Sequence, residues 1–99
     1  MSIVLLRFAG AASDAEPIVE ALRALSTAPI HLRDEIVRGL DFADAGTAER
    51  VTGALRRVAI ELAVVEEDVP ALVAAVEASR RRLPVRWMTL PVHDMGRLA

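Results

Sequence analysis

The sequence predicts an α+β fold of the ferredoxin-like type, a βαββαβ sandwich in which a four-stranded antiparallel sheet carries both helices on one face. Two continuous apolar runs, residues 3–8 and 58–65, have the length and the β-branched content of buried strands. Each run is followed by apolar residues at helical spacing and then by a further strand-like segment. Two such β-α-β halves with right-handed crossovers close one sheet, in which the first and third strands are central.

The first half opens with residues 3–8, whose nearly unbroken apolar run predicts a strand buried on both faces. Ser13 and Glu16 have the spacing of a capping box, in which each side chain satisfies a backbone N–H of the other residue. Pro17 suits the first turn of a helix, where its missing N–H costs nothing. A helix is therefore expected directly after Ser13.

The core-facing stripe of this first helix consists of apolar residues at helical spacing, namely Ile18, Val19, Leu22 and Leu25. Pro29 ends the helix, because the residue before a proline disfavours the helical conformation. Residues 30–42 then fit either a helix or a strand that starts after Pro29. Residues 41–47 have the composition of an exposed acidic loop.

Residues 47–58 admit two interpretations. As a helix, the segment would begin with Thr47 as its cap, but Gly53 weakens that helix by about 1 kcal/mol relative to alanine. As a strand, it would continue without a break into residues 58–65. The face of that strand is marked by Ile60, Leu62 and Val64.

The second half repeats the helix and the strand. Asp68 can cap the second helix, and Pro70 falls in its first turn. The buried stripe of this helix is Val69, Leu72, Val73 and Val76. Arginines at positions 80–82 suit the negative end of the helix dipole. Residues 85–92 form the last strand, and Pro91 places its end at a sheet edge or a bend.

Composition narrows the functional classes. The 99 residues make one domain, and a formal net charge of −2 argues against a nucleic-acid binder. The chain has no Cys, which excludes disulfides, thiolate nucleophiles and Cys-based metal sites. The mean hydropathy is +0.36, and no predicted element remains to cover the second face of the sheet. Association into a homotrimer is the expected solution.

Targeting and catalytic signals are both lacking in the sequence. The N-terminal apolar run is too short for a signal peptide or a membrane span, so we expect a cytoplasmic protein without direct membrane insertion. Without Cys, a nucleophile would have to be Ser or Thr beside a His. Neither a Gly-x-Ser-x-Gly elbow, nor a paired-His motif, nor a P-loop spacing occurs. The chain is therefore not expected to be an enzyme.

Short motifs in the second half resemble the PII-like superfamily. They are the Ala-Glu-Arg-Val-Thr-Gly of residues 48–53, the Arg-Arg-Val of residues 56–58, the acidic turn of residues 66–68, and an ending with Trp87, Pro91, Val92 and the Gly-Arg-Leu of residues 96–98. The chain is most similar to a small uncharacterised PII-like family, whose genes often stand beside heavy-metal or copper efflux systems. The similarity covers roughly residues 30–98.

The resemblance implies a single domain over residues 1–99 that forms a homotrimer related to PII signal proteins and to CutA. Residues 40–50 would be the counterpart of the PII T-loop, and residues 51–65 would be one long strand. Ligands of such trimers lie in clefts between subunits, and the loop reports their binding to a partner. A membrane transporter or efflux component is the expected partner, and nucleic acid is not.

The ligand-binding residues expected under this resemblance are Gly39, Arg50, Arg56, Arg57, Arg86 and Arg97. PII proteins hold nucleotide phosphates with a Gly- and Lys-bearing turn between the third strand and the second helix. Here that turn, residues 65–69, has no Gly or Lys and carries three carboxylates that repel phosphate. Adenine nucleotide therefore ranks behind copper or another divalent metal as the expected ligand. A bound anion would have to use arginines, whose guanidinium forks match oxyanions.

The candidate metal ligands are His93, Asp94 and Met95. Imidazole and thioether suit copper, above all Cu(I), and Asp94 could add an oxygen. Three adjacent residues cannot easily all bind one ion. A complete site would need copies from other subunits, or help from His31 or Met88.

The sequence thus predicts a regulatory trimer that couples a small ligand or metal ion to the shape of residues 40–50. Two alternatives stay open. The first is a structural adaptor without a ligand, which docks a membrane transport component. The second is a small ferredoxin-like enzyme.

Overall fold

The computed structural model describes residues 2–38 and 55–99. The strands and α-helices in this part of the chain are β1 (Ile3–Gly10), α1 (Ala15–Arg23), β2 (His31–Val37), β3 (Leu55–Val65), α2 (Val69–Glu77) and β4 (Arg86–Pro91). A short 3₁₀ turn leads into each helix, Ala12–Asp14 before α1 and Glu66–Asp68 before α2. The predicted element order is confirmed.

The strands form one antiparallel sheet in the order β2-β3-β1-β4. Strands β1 and β3 are central, and Leu6 of β1 lies opposite Leu62 of β3 and Thr89 of β4. The two helices pack on one face. The core between the helices and the sheet consists of Val4, Leu6, Phe8, Ile18, Leu22, Val58, Ile60, Leu62, Val64, Val69, Leu72 and Val76. The protein therefore has the ferredoxin-like α+β fold that the hydrophobic pattern predicts.

Strand β1 is buried on one face only. Its residues alternate between half-buried and buried along the whole strand. Val4, Leu6 and Phe8 point into the core, whereas Leu5 and Arg7 point to the opposite face. The expectation of a strand buried on both faces is wrong for the single chain, because both helices lie on the same side of the sheet.

Neither helix begins with a side-chain capping bond. Asp14, not Ser13, occupies the N-cap position of α1, and no side-chain capping bond forms there or at Asp68 of α2. Each helix is entered through a 3₁₀ turn, in which the backbone N–H of Ala15 or Val69 donates to the carbonyl three residues earlier. The capping box predicted at Ser13 is therefore wrong, whereas Asp68 stands at the predicted N-cap position of α2 without a side-chain capping bond.

The ends of the helices agree in part with the sequence predictions. Helix α1 stops at Arg23, and Leu25 is 58% exposed rather than part of the buried stripe. In α2 the predicted stripe is confirmed. Of the arginines at positions 80–82, only Arg81 contacts the last turn of that helix directly, since its guanidinium donates to the carbonyl oxygens of Val76 at 3.2 Å and Glu77 at 3.5 Å. A third bond, to Leu83 O at 3.2 Å, ties the helix end to the segment before β4.

The two ambiguous regions are strands wherever they are described. The chain after Pro29 enters strand β2, and residues 55–65 are one continuous strand. The predicted loop of residues 40–50 and the first residues of the predicted long strand, 51–54, lie outside the described residues. Within the described ranges, no helix has the length and apolar character needed to span a bilayer.

Candidate functional site

The face of the sheet opposite the helices, which we call the open face, divides into an apolar end and a charged end. Strand pairing and side-chain alternation place the following residues on it: Leu5, Arg7, His31, Arg33, Glu35, Arg57, Ala59, Glu61, Ala63, Arg86, Met88 and Leu90. The apolar end is formed by the row of Leu90, Leu5 and Ala63. The charged end begins at the next row, in which Met88, Arg7, Glu61 and His31 face one another across all four strands.

Ion pairs tie the charged end together. Arg7 Nη2 lies 2.6 Å from Glu35 Oε1, a contact that reaches from β1 across β3 to β2. Arg33 Nη1 lies 2.5 Å from Glu61 Oε1, and Arg33 Nη2 lies 3.8 Å from Glu35 Oε2. The four residues form one continuous network of two arginines and two glutamates. Such charge-assisted bonds fix the relative positions of three strands.

The position of Glu61 explains its acidity. The hydrogen bond from Arg33 lowers the pKa of Glu61, and the charges of Arg33, Arg7 and His31 act in the same direction. Burial opposes them, since the Glu61 side chain is only 11% exposed. The pKa of the Arg33 guanidinium is raised by the same hydrogen bond. The pair is therefore ionised throughout the physiological range.

We predict that Glu61→Gln makes the folded state less sensitive to acid. A carboxyl with a lowered folded pKa stabilises the fold above its unfolded pKa, and that contribution is lost as the pH falls through the folded value. Wild-type stability should therefore fall as the pH drops below about 5, and the variant, less stable at pH 7, should show a shallower fall. Urea denaturation at several pH values from 7 to 3 measures the stability of each protein at pH 7 and its fall with pH. The exposed Glu67→Gln is the control, and equal slopes for both variants would contradict the assignment.

The second feature is a cleft at one end of the sheet, which we call the terminal cleft. It has a volume of about 530 Å³ and is formed by the start of β1, the turn after β3 and the segment after β4. Its polar lining side chains belong to Ser2, Glu66, Thr89, His93 and Asp94, and Met95 borders it. The three residues predicted as metal ligands thus share one cleft with the carboxylate of Glu66.

The terminal cleft does not assemble a metal-binding set within the described part of one chain. Among residues 2–38 and 55–99, no group of three or more His, Cys, Asp or Glu side chains could hold a metal ion. His31 and Met88, which the sequence suggested as helpers, do not line the cleft. His31 lies on β2 and Met88 on β4, the two opposite edges of the sheet. A complete coordination sphere would need donors from a second chain.

The predicted anion-binding arginines do not form one group. Arg56 and Arg57 line a cleft of about 510 Å³ beside Asp34 and Glu35, and their positions in β3 direct them to opposite faces. The buried Arg57 donates from Nη1 to its neighbour's carbonyl oxygen, at 2.8 Å. Arg86 lies on the open face, and Arg97 is exposed in the segment after β4. Gly39 and Arg50 lie outside the described residues.

Sequence reasoning missed the ion-pair network and the contribution of Glu66. One signal was present for the network. Arg7 and Glu61 each interrupt an otherwise apolar central strand, and a charge inside such a run indicates a face that helices do not cover. Glu66 stood in the acidic turn, but its proximity to His93 follows from the pairing of β1 with both β3 and β4.

Comparison with known proteins places the chain in a family. Residues 37–99 match the model of DUF3240, a family of proteins of unknown function. The chain belongs to the DUF3240 family. Its fold is similar to that of a DUF3240 protein from Shewanella baltica OS155, with a TM-score of 0.79, 17% identity, and coverage of 100% of this chain and 99% of the other. A search of the curated proteins finds no significant match.

Two further structures extend the likeness beyond DUF3240. A functionally unknown protein from Pediococcus pentosaceus ATCC 25745 has a TM-score of 0.64 at 12% identity, over 99% of both chains. A proposed PII-like signalling protein from Thermus thermophilus has a TM-score of 0.60 at 16% identity, over 93% of this chain and 88% of the other. The fold that the predicted PII-like resemblance implies is confirmed. At these identities the structural likeness concerns the fold.

Proposed function

We propose that this DUF3240 protein is a non-enzymatic regulatory protein of the PII-like kind. It would bind a metal ion or small ligand between the subunits of a homotrimer and report occupancy through residues 40–50. The observation that carries the proposal is the terminal cleft, which collects His93, Asp94, Met95 and Glu66 but lacks a complete donor set in one chain.

The surface beside the cleft supports subunit association. Every residue of β4 is exposed. Met88 and Leu90 lie on the open face with exposed fractions of 54% and 42%, and Trp87, on the helix side of the same strand, is 51% exposed. Two further apolar side chains, Met95 and Leu98, are exposed in the segment that follows. Large apolar side chains exposed along one edge strand are typical of an edge that another chain covers. A second copy placed here would lie against the terminal cleft and could complete its donor set.

The chemistry of the donors favours a soft metal. The imidazole of His93 and the thioether of Met95 are ligands that copper prefers, and carboxylate oxygens of Glu66 or Asp94 would admit a divalent ion as well. Phosphate ligands fit this cleft poorly. Its two carboxylates would repel a nucleotide, and of the predicted anion-binding arginines within residues 2–38 and 55–99 none lines it.

The hydroxyl groups support a non-catalytic role. Ser79 Oγ donates to Val76 O at 2.6 Å, and Ser26 Oγ accepts from the N–H of Ala28 at 3.1 Å. Both serines therefore hold helix ends. In the described part of the chain, no hydrogen bond joins a Ser or Thr hydroxyl to a histidine, the pairing that nucleophilic catalysis requires.

The test combines light scattering with thermal shifts at fixed protein concentration. The expected mass is that of a trimer, and Cu(I), Cu(II), Zn(II), ATP and bicarbonate are added in turn. A metal at a hundredfold excess over its Kd should stabilise the protein by about 2.7 kcal/mol, which raises the Tm by roughly 10–20 °C for a domain of this size. The His93→Ala, Met95→Ala double variant should lose that shift.

A matched control is His31→Ala, which removes the other histidine without touching the terminal cleft. If His31→Ala also abolishes the shift, a second chain supplies that residue to the site. An unchanged shift in the double variant would remove His93 and Met95 from the site. A monomer would contradict the inter-subunit cleft. A trimer that no ligand stabilises, but that retains a membrane transport component in pull-down, would favour the adaptor alternative.

A further inference from the structure

A separate pocket lies between the end of α1 and the start of β2, far in sequence from the terminal cleft. This pocket, the α1–β2 pocket, has a volume of about 530 Å³. Val19, Ile30 and Leu32 form its apolar wall, and Arg23, Ser26 and Thr27 stand at its polar side. All of its lining residues belong to the described part of the chain.

The apolar wall is continuous with the core but not closed. Val19 and Ile30 are half-buried and pack against the core cluster. Leu32 points to the helix side of edge strand β2, yet 49% of it is exposed, because α1 ends before covering it. The result is an apolar recess of a size that suits a small molecule.

The polar side offers one positive charge and two hydroxyls. Arg23 makes no hydrogen bond or ion pair within residues 2–38 and 55–99, so its guanidinium donors are available. Ser26 Oγ accepts from Ala28 N–H, which leaves its own hydrogen free to donate. None of the lining residues is acidic. The pocket therefore presents donors at one side and an apolar wall at the other.

We infer that the α1–β2 pocket binds a small monocarboxylate with an apolar tail. A planar guanidinium pairs with a carboxylate through charge-assisted bonds, and the recess beside it would remove the tail from water. A single arginine balances one negative charge, which suits a carboxylate better than a phosphate dianion. An amino acid is disfavoured, since its ammonium would find no acidic partner in the lining.

The experiment is an NMR titration of the ¹⁵N-labelled full chain with hexanoate. Saturable shifts are expected for the amides of Arg23, Thr27 and Ile30. Acetate lacks the tail, hexan-1-ol lacks the charge, and leucine adds an ammonium; each should bind at least about tenfold more weakly. Arg23→Gln should weaken hexanoate binding at least about tenfold while hexan-1-ol binding stays unchanged.

Arg80→Gln is the charge-matched control. Arg80 is exposed and borders a different groove, between the two helices, so hexanoate should bind this variant as it binds the wild type. The spectra also verify that each variant is folded. The inference is overturned if hexanoate gives no saturable shifts, if it moves the amides of the open face instead, or if Arg23→Gln and Arg80→Gln bind it equally well. None of these results depends on trimer formation or metal binding.

Discussion

Phe8→Ala is expected to lower the free energy of unfolding by roughly 3–5 kcal/mol. Phe8 is fully buried on central strand β1, between Ile60 of β3 and Trp87 of β4 in the pairing register. Among the described residues, it is the largest fully buried side chain and the only aromatic residue of the core cluster. Its removal leaves a cavity under both helices that the surrounding aliphatic residues cannot fill. A loss of this size is a large fraction of the 5–15 kcal/mol that typically holds a domain together.

Urea denaturation followed by circular dichroism measures this loss at one protein concentration. Phe8→Leu keeps an apolar side chain of similar reach, and it should cost less than half as much. The dependence of the free energy on urea concentration should stay the same, because the surface exposed on unfolding hardly changes. Equal losses for both variants, or a loss below about 1 kcal/mol for Phe8→Ala, would show that Phe8 does not fill a close-packed core.

The fold could be predicted because its main signals are local. Residues 3–8 and 58–65 carry the two apolar strands, and their central position in the sheet follows from that composition. The helix starts could not be predicted in the same way. Ser13 and Asp68 are good capping residues by type, but the preceding turns adopt 3₁₀ geometry and satisfy the first donors with backbone carbonyls. Sequence spacing does not distinguish a side-chain cap from a 3₁₀ turn that satisfies the same donors.

The candidate site was predictable only where its residues are neighbours in sequence. His93, Asp94 and Met95 share a cleft because they follow one another along the chain. Glu66 joins them through strand pairing, and the ion pairs of Arg7 with Glu35 and of Arg33 with Glu61 each span 28 residues. Such partners are set by the register of three strands. A shift of one residue would send these charges to the core side of the sheet, so the network also opposes misregistered pairing.

Asp14→Ala is expected to destabilise the protein by about 3 kcal/mol, although Asp14 makes no contact with the terminal cleft or the open face. The residue is only 2% exposed. Its Oδ1 accepts from the backbone N–H of Arg82 at 2.8 Å, and its Oδ2 accepts from that of Leu83 at 2.9 Å. Alanine would leave both N–H groups without their partner in a partly buried place, and each such loss costs about 1–3 kcal/mol.

The expected fall in Tm is roughly 12–24 °C, measured at constant protein concentration. Hydrogen exchange supplies a local measurement, since the amides of Arg82 and Leu83 should exchange faster in Asp14→Ala than in the wild type. Glu16→Ala, two residues away and exposed, is the matched control and should change stability by less than about 0.5 kcal/mol. Unchanged protection of both amides would contradict the role assigned to Asp14.

The Asp14 contacts also bear on the proposed function. They anchor the segment that leads from α2 into β4, and β4 carries the exposed apolar surface beside the terminal cleft. Loosening that anchor should therefore weaken subunit association more than Glu16→Ala does, even at temperatures where both variants are folded. Light scattering over a dilution series tests this coupling. If the Asp14→Ala protein dissociates at the same concentration as the control, the segment before β4 does not position the interface.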